Sequence, residues 1–313
     1  MMLLEDSYGR RIRKVRVSLL DACNFRCFYC MPKSPSFLPA KNCLSLDELY
    51  QISLCFFEHG IEELRLTGGE ATLRKDFKNI VTELSKIPFQ KLSLTSNGFF
   101  LSPLLSFLKN TSCQFLNISL DSLREDRFRA ITHSNGFHKV LGSIIEASRL
   151  GFSVKINVVV MRGVNDDELL DFVRFSSEHQ ITVRFLELMQ IGEARKIEKK
   201  AFISAAELLT QLQQKIDLEA VAVEQDSTSF EFKTKSGARL GFIAPVTQSF
   251  CGSCSRWRLS AEGFLRACLM SSKGLSLKGQ SGKELRETLS KVLHMKPISG
   301  LESVDQNMYR IGG

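Results

Sequence analysis

Val15-Arg16-Val17-Ser18-Leu19-Leu20 is a short β-rich run, and it leads at once into Cys23-Asn24-Phe25-Arg26-Cys27-Phe28-Tyr29-Cys30. The cysteines follow the spacing Cys-x3-Cys-x2-Cys, with no fourth cysteine or histidine beside them. Structural zinc sites are closed tetrahedra that draw their ligands in pairs. Three thiolates in one loop instead suit a [4Fe–4S] cluster with one iron left open. Such an iron binds the amino and carboxylate groups of a ligand and passes it an electron. The competing assignment is a zinc site completed from a distance by His59 or His138.

The β-rich run is the first of a series. Glu63–Thr67, Lys91–Thr95, Phe115–Leu120, Ser153–Val160 and Thr182–Glu187 repeat it, with amphipathic stretches such as Leu46–His59, Phe77–Ser85, Phe137–Leu150 and Glu168–Glu178 between them. Parallel strands need such crossovers, so the series predicts a parallel sheet, either doubly wound or curved into an incomplete barrel. At the predicted strand ends stand Thr67, Glu70, Thr95, Asn97, Ser119, Asp121, Asn157 and Glu187. Barrel active sites lie at those ends. After about Gln190 the rhythm breaks. One helix near Ala205–Gln214 and strand-like pieces at Ala220–Val223, Ser229–Phe232 and Arg239–Ile243 predict a smaller α+β extension.

Composition narrows the class. The hydrophobic fraction of 43% and charged fraction of 24% are those of an ordinary globular chain. They exclude fibrous, disordered and low-complexity readings. Glu5 and Asp6 stand where an export signal needs basic charge, which predicts a cytoplasmic protein. No apolar run is long enough to span a bilayer. Nine cysteines, an odd number, in a chain without an export signal point to metal rather than disulfides. The net charge of +8 suits phosphate-bearing ligands.

Cys251-Gly252-Ser253-Cys254, with Cys268 downstream, forms a second set of three. It predicts a second three-cysteine cluster whose open iron meets a substrate atom. A zinc ribbon completed by Cys43, Cys55, Cys113 or His294 is the alternative. Between these cysteines runs Arg256-Trp257-Arg258. Arginines at i and i+2 of an extended segment share a face and clamp an anion.

The first triad, with the aromatic Tyr29 before its third cysteine and the turn Thr67-Gly68-Gly69-Glu70, resembles the radical S-adenosylmethionine superfamily. Within it, the whole chain is similar to the GTP 3′,8-cyclases of molybdenum cofactor biosynthesis. The matching segments are Cys30-Met31-Pro32, Arg65–Glu70, Thr95–Gly98, Ser119–Leu123, Lys155–Asn157, Arg184–Met189, the C-terminal triad and the terminal Gly312-Gly313. The resemblance implies an incomplete (β/α)6 TIM-type barrel over residues 1–190. A C-terminal extension over 191–313 would close its open side and carry the auxiliary cluster and diglycine tail.

It further implies two [4Fe–4S] clusters, held by Cys23, Cys27 and Cys30 and by Cys251, Cys254 and Cys268. Tyr29, Gly69, Ser119 and Met189 would contact S-adenosylmethionine. Arg16, Arg65, Thr95, Lys155, Arg256, Trp257 and Arg258 would contact GTP. Arg184, Gly312 and Gly313 would serve the chemistry, Arg184 also as a GTP contact. A low-potential electron donor would feed the enzyme, and a cyclic pyranopterin monophosphate synthase would take its product. No nucleic-acid or membrane partner is implied, and a homodimer stays open.

Ala71, Ser96, Trp257 and the loop Gly192–Ala201 depart from the family pattern. Two other readings compete. One is a radical S-adenosylmethionine maturase acting on a peptide, which would want more C-terminal cysteines. The other is a metal-stabilised nucleic-acid-binding protein, which would want a basic stripe with interleaved aromatics.

Overall fold

The computed structural model describes residues 3–224, 226–299 and 305–312. In chain order the elements begin β1 (Lys14–Ser18), α1 (Leu46–Glu58), β2 (Glu63–Thr67), α2 (Phe77–Leu84), β3 (Lys91–Ser96), α3 (Ser102–Lys109) and β4 (Phe115–Ser119). Next come α4 (Glu125–Thr132), α5 (Phe137–Arg149), β5 (Ser153–Val160), α6 (Leu169–His179) and β6 (Thr182–Glu187). The C-terminal part adds α7 (Ala205–Gln213), β7 (Glu219–Val221), β8 (Phe230–Lys233), β9 (Arg239–Ile243), β10 (Arg256–Leu259) and β11 (Phe264–Arg266). It ends with β12 (Gly274–Ser276), α8 (Gly282–Leu293) and α9 (Met308–Ile311). Local chemistry agrees with these boundaries. Ser45 caps α1 in a reciprocal box, its hydroxyl accepting from Glu48 N at 3.1 Å while Glu48 Oε2 accepts from Ser45 N at 2.8 Å.

The strands form one sheet in the order β12-β11-β10-β1-β2-β3-β4-β5-β6-β9-β8-β7. The six predicted strands are its centre, and the extension lengthens the parallel run at both edges, with β10 beside β1 and β9 beside β6. The outer strands turn antiparallel. Among the described residues, strand pairing does not close the ring. Side chains bridge the gap instead: Asp226, between β7 and β8, takes Arg13 Nη2 at 2.9 Å and Lys14 Nζ at 3.0 Å on the far flank of the sheet. The extension thus reaches across the open side of a partial barrel through an ion-pair network.

Period-2 alternation decides what this barrel encloses. In β1, β2 and β10 the residues Val15, Val17, Leu64, Leu66, Trp257 and Leu259 pack in the main hydrophobic core. The residues between them are Lys14, Arg16, Glu63, Arg65, Arg256 and Arg258, and these line cavities. A closed barrel fills its inside with branched apolar chains. This one lines its inside with charge, which leaves room for a polar ligand. Helix α8 is missing from the sequence reading because its charges dominate its composition. Its stripe Leu285, Leu289, Val292 and Leu293 is nevertheless buried at helical spacing.

Candidate active site

Cys23, Cys27 and Cys30 lie just beyond the C-terminal end of β1 and line one cavity of about 280 Å3. Their loop is tied to α4 by Arg26 N on Thr132 O at 2.9 Å and Phe28 N on Ile131 O at 3.2 Å. Phe25 wedges edge-on between Phe99 and Phe128 and fixes the loop's base. The Gly68-Gly69-Glu70 turn is stitched to the same loop, with Gly69 N donating to Leu20 O and Glu70 N to Ala22 O, each at 2.8 Å. A Cβ on Gly69 would stand 2.2 Å from Asp21 O and 2.5 Å from Ala22 O. Only glycine allows the turn this close. Gly69→Ala is therefore expected to displace the cysteine loop and weaken S-adenosylmethionine binding about tenfold or more, near 1.4 kcal/mol. Equilibrium dialysis of anaerobic protein checks it, and wild-type affinity would refute the close-approach argument.

Glu70 does not line the cavity. Its buried carboxylate accepts from Asn97 N at 2.6 Å, Ser96 Oγ at 2.9 Å and Thr72 N at 3.1 Å, locking the β2 and β3 ends together. Ser96, one of the departures, keeps the hydroxyl this lock needs. Ala71 is buried and opens an intact helical turn without a proline. Asn97 Nδ2 donates to Cys23 Sγ at 3.6 Å, and Phe25 N donates to the same sulfur at 3.3 Å. Burial pushes the Cys23 thiol up to about 11, Cys30 up to about 12 and Cys27 well above its ordinary value. Thiols so placed become good ligands when a metal supplies the missing positive charge.

Tyr29, Gly69, Ser119 and Met189 line this same cavity. Tyr29 Oη donates to Asp121 Oδ2 at 2.6 Å, and Val159 N donates to Asp121 Oδ1 at 2.8 Å. Burial raises the Asp121 carboxyl to about 6 against the pull of these two donors. The Tyr29 ring is thereby pinned in the wall.

Cys251, Cys254 and Cys268 line a second cavity of about 280 Å3, shared with Arg16, Arg256 and Arg258. All nine cysteines are free thiols. Arg10 Nη1 holds Cys251 O at 2.8 Å, and Met270 N donates to Cys268 Sγ at 3.4 Å. Burial pushes Cys254 up, but the charges of Lys296 and Arg256 with donated hydrogen bonds outweigh it and leave the thiol below its ordinary value. Burial keeps Cys268 above its own. Among the described residues, no three His, Cys, Asp or Glu converge tightly enough for a single metal ion. An iron–sulfur cube takes each thiolate at a separate corner and needs no such convergence. Of the alternative ligands, Cys55 faces His59 at 3.7 Å and His138 pairs with Glu125 at 3.2 Å.

Between the triads lies a concentration of positive charge. Register sets Arg258, Arg16 and Arg65 side by side on adjacent strands. Arg184 and Arg256 join them; Arg16 borders all three cavities. Burial first, then the neighbouring guanidinium groups, hold Arg16 well below its ordinary value, Arg258 at about 10 and Arg184 at about 9. Arg184 donates to Asn117 Oδ1, yet its Nε finds no partner among the described residues. Lys155 faces the third cavity, of about 250 Å3, and pairs with Glu231 at 3.2 Å. Thr95 lines the first.

Trp257 requires a correction. It is fully buried in the outer core and lines none of the three cavities, because alternation along β10 turns it away from Arg256 and Arg258. The described part of the tail packs beside the ends of β1 and β2. Ile311 is buried with Ile191 beside Met189, Leu269 and Met308. Gly312, at φ +84°, has its carbonyl held by Arg258 Nη1. Gly313 lies outside the described residues. The sequence reading overlooked Lys14 and Lys91, which line the third cavity. Period-2 spacing from Arg16 could have found Lys14.

Residues 17–176 match the Radical SAM superfamily, and residues 181–299 match Molybdenum Cofactor Synthesis C. A GTP 3′,8-cyclase of Synechocystis sp. is 44% identical over 99% of this chain and 95% of its own length. One of Clostridium botulinum is 38% identical over 98% and 99%. Among solved structures, Streptococcus suis SuiB bound to precursor peptide SuiA overlays with a TM-score of 0.69 at 14% identity, over 93% of this chain and 67% of its own. A histidine-tagged anSMEcpe with bound AdoMet gives 0.62 at 14% identity, over 90% and 82%. At that identity these two report the fold alone. By its near-full-length sequence match, the chain belongs to the GTP 3′,8-cyclase family of the radical SAM superfamily.

Proposed function

We propose that this protein converts GTP to 3′,8-cyclo-7,8-dihydroguanosine triphosphate, the first step of molybdenum cofactor biosynthesis, with residues 191–313 serving the substrate end. The observation that carries the substrate assignment is the row Arg258–Arg16–Arg65 with Arg184 and Arg256 around it. Like charges on adjacent strands oppose folding. Burying several with few carboxylates in reach is tolerable only where a polyanion completes the site. A triphosphate meets that need, and the fork of each guanidinium suits its oxygens.

Cys23, Cys27 and Cys30 fit a [4Fe–4S] cluster in number and spacing, and Cys251, Cys254 and Cys268 would hold a second one at the substrate end. Held by Cys23, Cys27 and Cys30, such a cluster would supply the electron for reductive cleavage of S-adenosylmethionine, the source of the radical that would take the GTP C3′ hydrogen. The chain's own residues do the rest. Tyr29, Gly69, Ser119 and Met189 would seat S-adenosylmethionine between the cysteine loop and the strand ends. Arg16, Arg65, Thr95, Lys155, Arg184, Arg256 and Arg258 would hold the nucleotide, so that ribose and radical donor share one enclosed space. A low-potential reductant and a downstream cyclic pyranopterin monophosphate synthase complete the reading.

An anaerobic reaction with S-adenosylmethionine, GTP and dithionite, assayed for 5′-deoxyadenosine and the cyclised nucleotide, tests the activity. Arg258→Ala tests the clamp. Each charge-assisted bond is worth roughly 1.5–3 kcal/mol, so GTP affinity is expected to fall by about one to two decades at 1.4 kcal/mol per decade. Unchanged affinity with a lowered melting temperature would assign Arg258 to the fold.

A further inference from the structure

Lys296 follows α8 and is only 4% exposed. Its ammonium donates to Arg256 O at 3.0 Å, to Ala267 O at 3.1 Å and to Cys254 Sγ at 3.4 Å. Arg256 stands two residues after Cys254, and Ala267 directly precedes Cys268. One side chain therefore joins the two segments that carry the second triad. Among the described residues, none of its donors goes to a carboxylate. A buried ammonium without a carboxylate is costly unless another anion stands in. Among its described partners, the one anionic candidate is the sulfur of Cys254. The main chain next to Lys296 is held in turn: Arg10 Nη2 donates to Pro297 O at 2.7 Å, while Arg10 Nη1 holds Cys251 O at 2.8 Å. The lysine is thus fixed to the same frame as the cysteines.

We infer that Lys296 is a positioning residue that sets the reduction potential of the auxiliary cluster through the Cys254 sulfur. This rests on the proposal that Cys251, Cys254 and Cys268 hold a [4Fe–4S] cluster. Cluster potentials follow net charge and hydrogen bonds to the sulfurs. One-electron reduction adds one negative charge to the cluster. A fixed ammonium on a ligand sulfur favours that reduced state and raises the potential.

The test uses the full-length chain with Cys23, Cys27 and Cys30 all replaced by Ala, so that only the second site is filled on anaerobic reconstitution with ferrous iron and sulfide. Dithionite titration followed by electron paramagnetic resonance then gives the midpoint potential. Lys296→Met keeps volume and removes charge and donors. It is expected to shift the reduction constant about tenfold toward the oxidised state, a fall of 59 mV for one electron. Lys296→Arg, which keeps the charge, is expected to stay near the parent. If Lys296→Met binds too little iron, Lys296→Gln is compared with Lys296→Arg at equal iron content, and the same fall is expected. An unmoved potential at full iron loading would overturn the role of Lys296 alone. Absence of iron from the parent would overturn the auxiliary-cluster proposal, and the lysine's role with it.

Discussion

Cys27→Ala is expected to strip about half of the bound iron and to abolish cleavage of S-adenosylmethionine. The proportion follows from the proposal of two four-iron clusters, each with its own triad. Cys27 is the middle cysteine of its triad, and the turn around it is narrow: Cys30 N donates to Cys27 O at 2.9 Å and Met31 N to the same oxygen at 3.1 Å. Alanine keeps this backbone but removes one of three thiolates, and no other cysteine stands in the loop to replace it. Burial already disfavours the charged form of the other sulfurs. They have little means of retaining iron alone. Cys268→Ala supplies the reciprocal result. It should remove the other half of the iron while some S-adenosylmethionine cleavage continues without cyclisation. Iron content and 5′-deoxyadenosine release measure both variants. Full iron in each would refute the assignment of separate triads.

The two triads, the six central strands and most of the cationic row are legible in the sequence because each is a local pattern. Cysteine spacing lies within one loop, and alternation along five or six residues assigns each side chain a face. Even Trp257 obeys that rule. Arginines at i and i+2 face inward, so the residue between them faces out. The family resemblance draws Trp257 into the nucleotide site against its own alternation. Pairing between distant segments is not legible. Nothing in Arg239–Ile243 or Arg256–Leu259 announces that one will flank β6 and the other β1. The Asp226 bridge depends on that pairing, and so do the contacts of Lys296, a lone lysine in an unremarkable segment. Such features follow from topology, and no window of sequence contains them.

Deleting Gly312 and Gly313 is expected to leave the fold and both cysteine triads intact while lowering formation of the cyclised nucleotide about a hundredfold, the scale of a small misplacement at a reacting centre. A chain end usually frays. This one is anchored before it enters: Asn307 Oδ1 accepts from Glu193 N at 3.1 Å, Gln306 Oε1 accepts from Arg266 Nη2 at 2.6 Å, and Arg310 Nη2 donates to Ser36 O at 2.9 Å. Ile311 is fully buried, so Gly312 is delivered to the ends of β1 and β2. There its φ of +84° is a conformation that favours glycine, and a Cβ would stand 3.1 Å from Ser18 Cβ. Its carbonyl takes a hydrogen bond from Arg258, the guanidinium proposed to clamp GTP. Losing Gly312 frees Arg258 from this contact and leaves the cysteine triads and the Gly68-Gly69 turn in place. Cleavage of S-adenosylmethionine should therefore persist, uncoupled from product. Gly312→Val makes the same test without shortening the chain, since both the positive φ and the crowding against Ser18 oppose a branched side chain. Measuring 5′-deoxyadenosine and cyclised nucleotide in one reaction separates the two steps. A truncated protein that forms product at the wild-type rate would reduce the tail to packing.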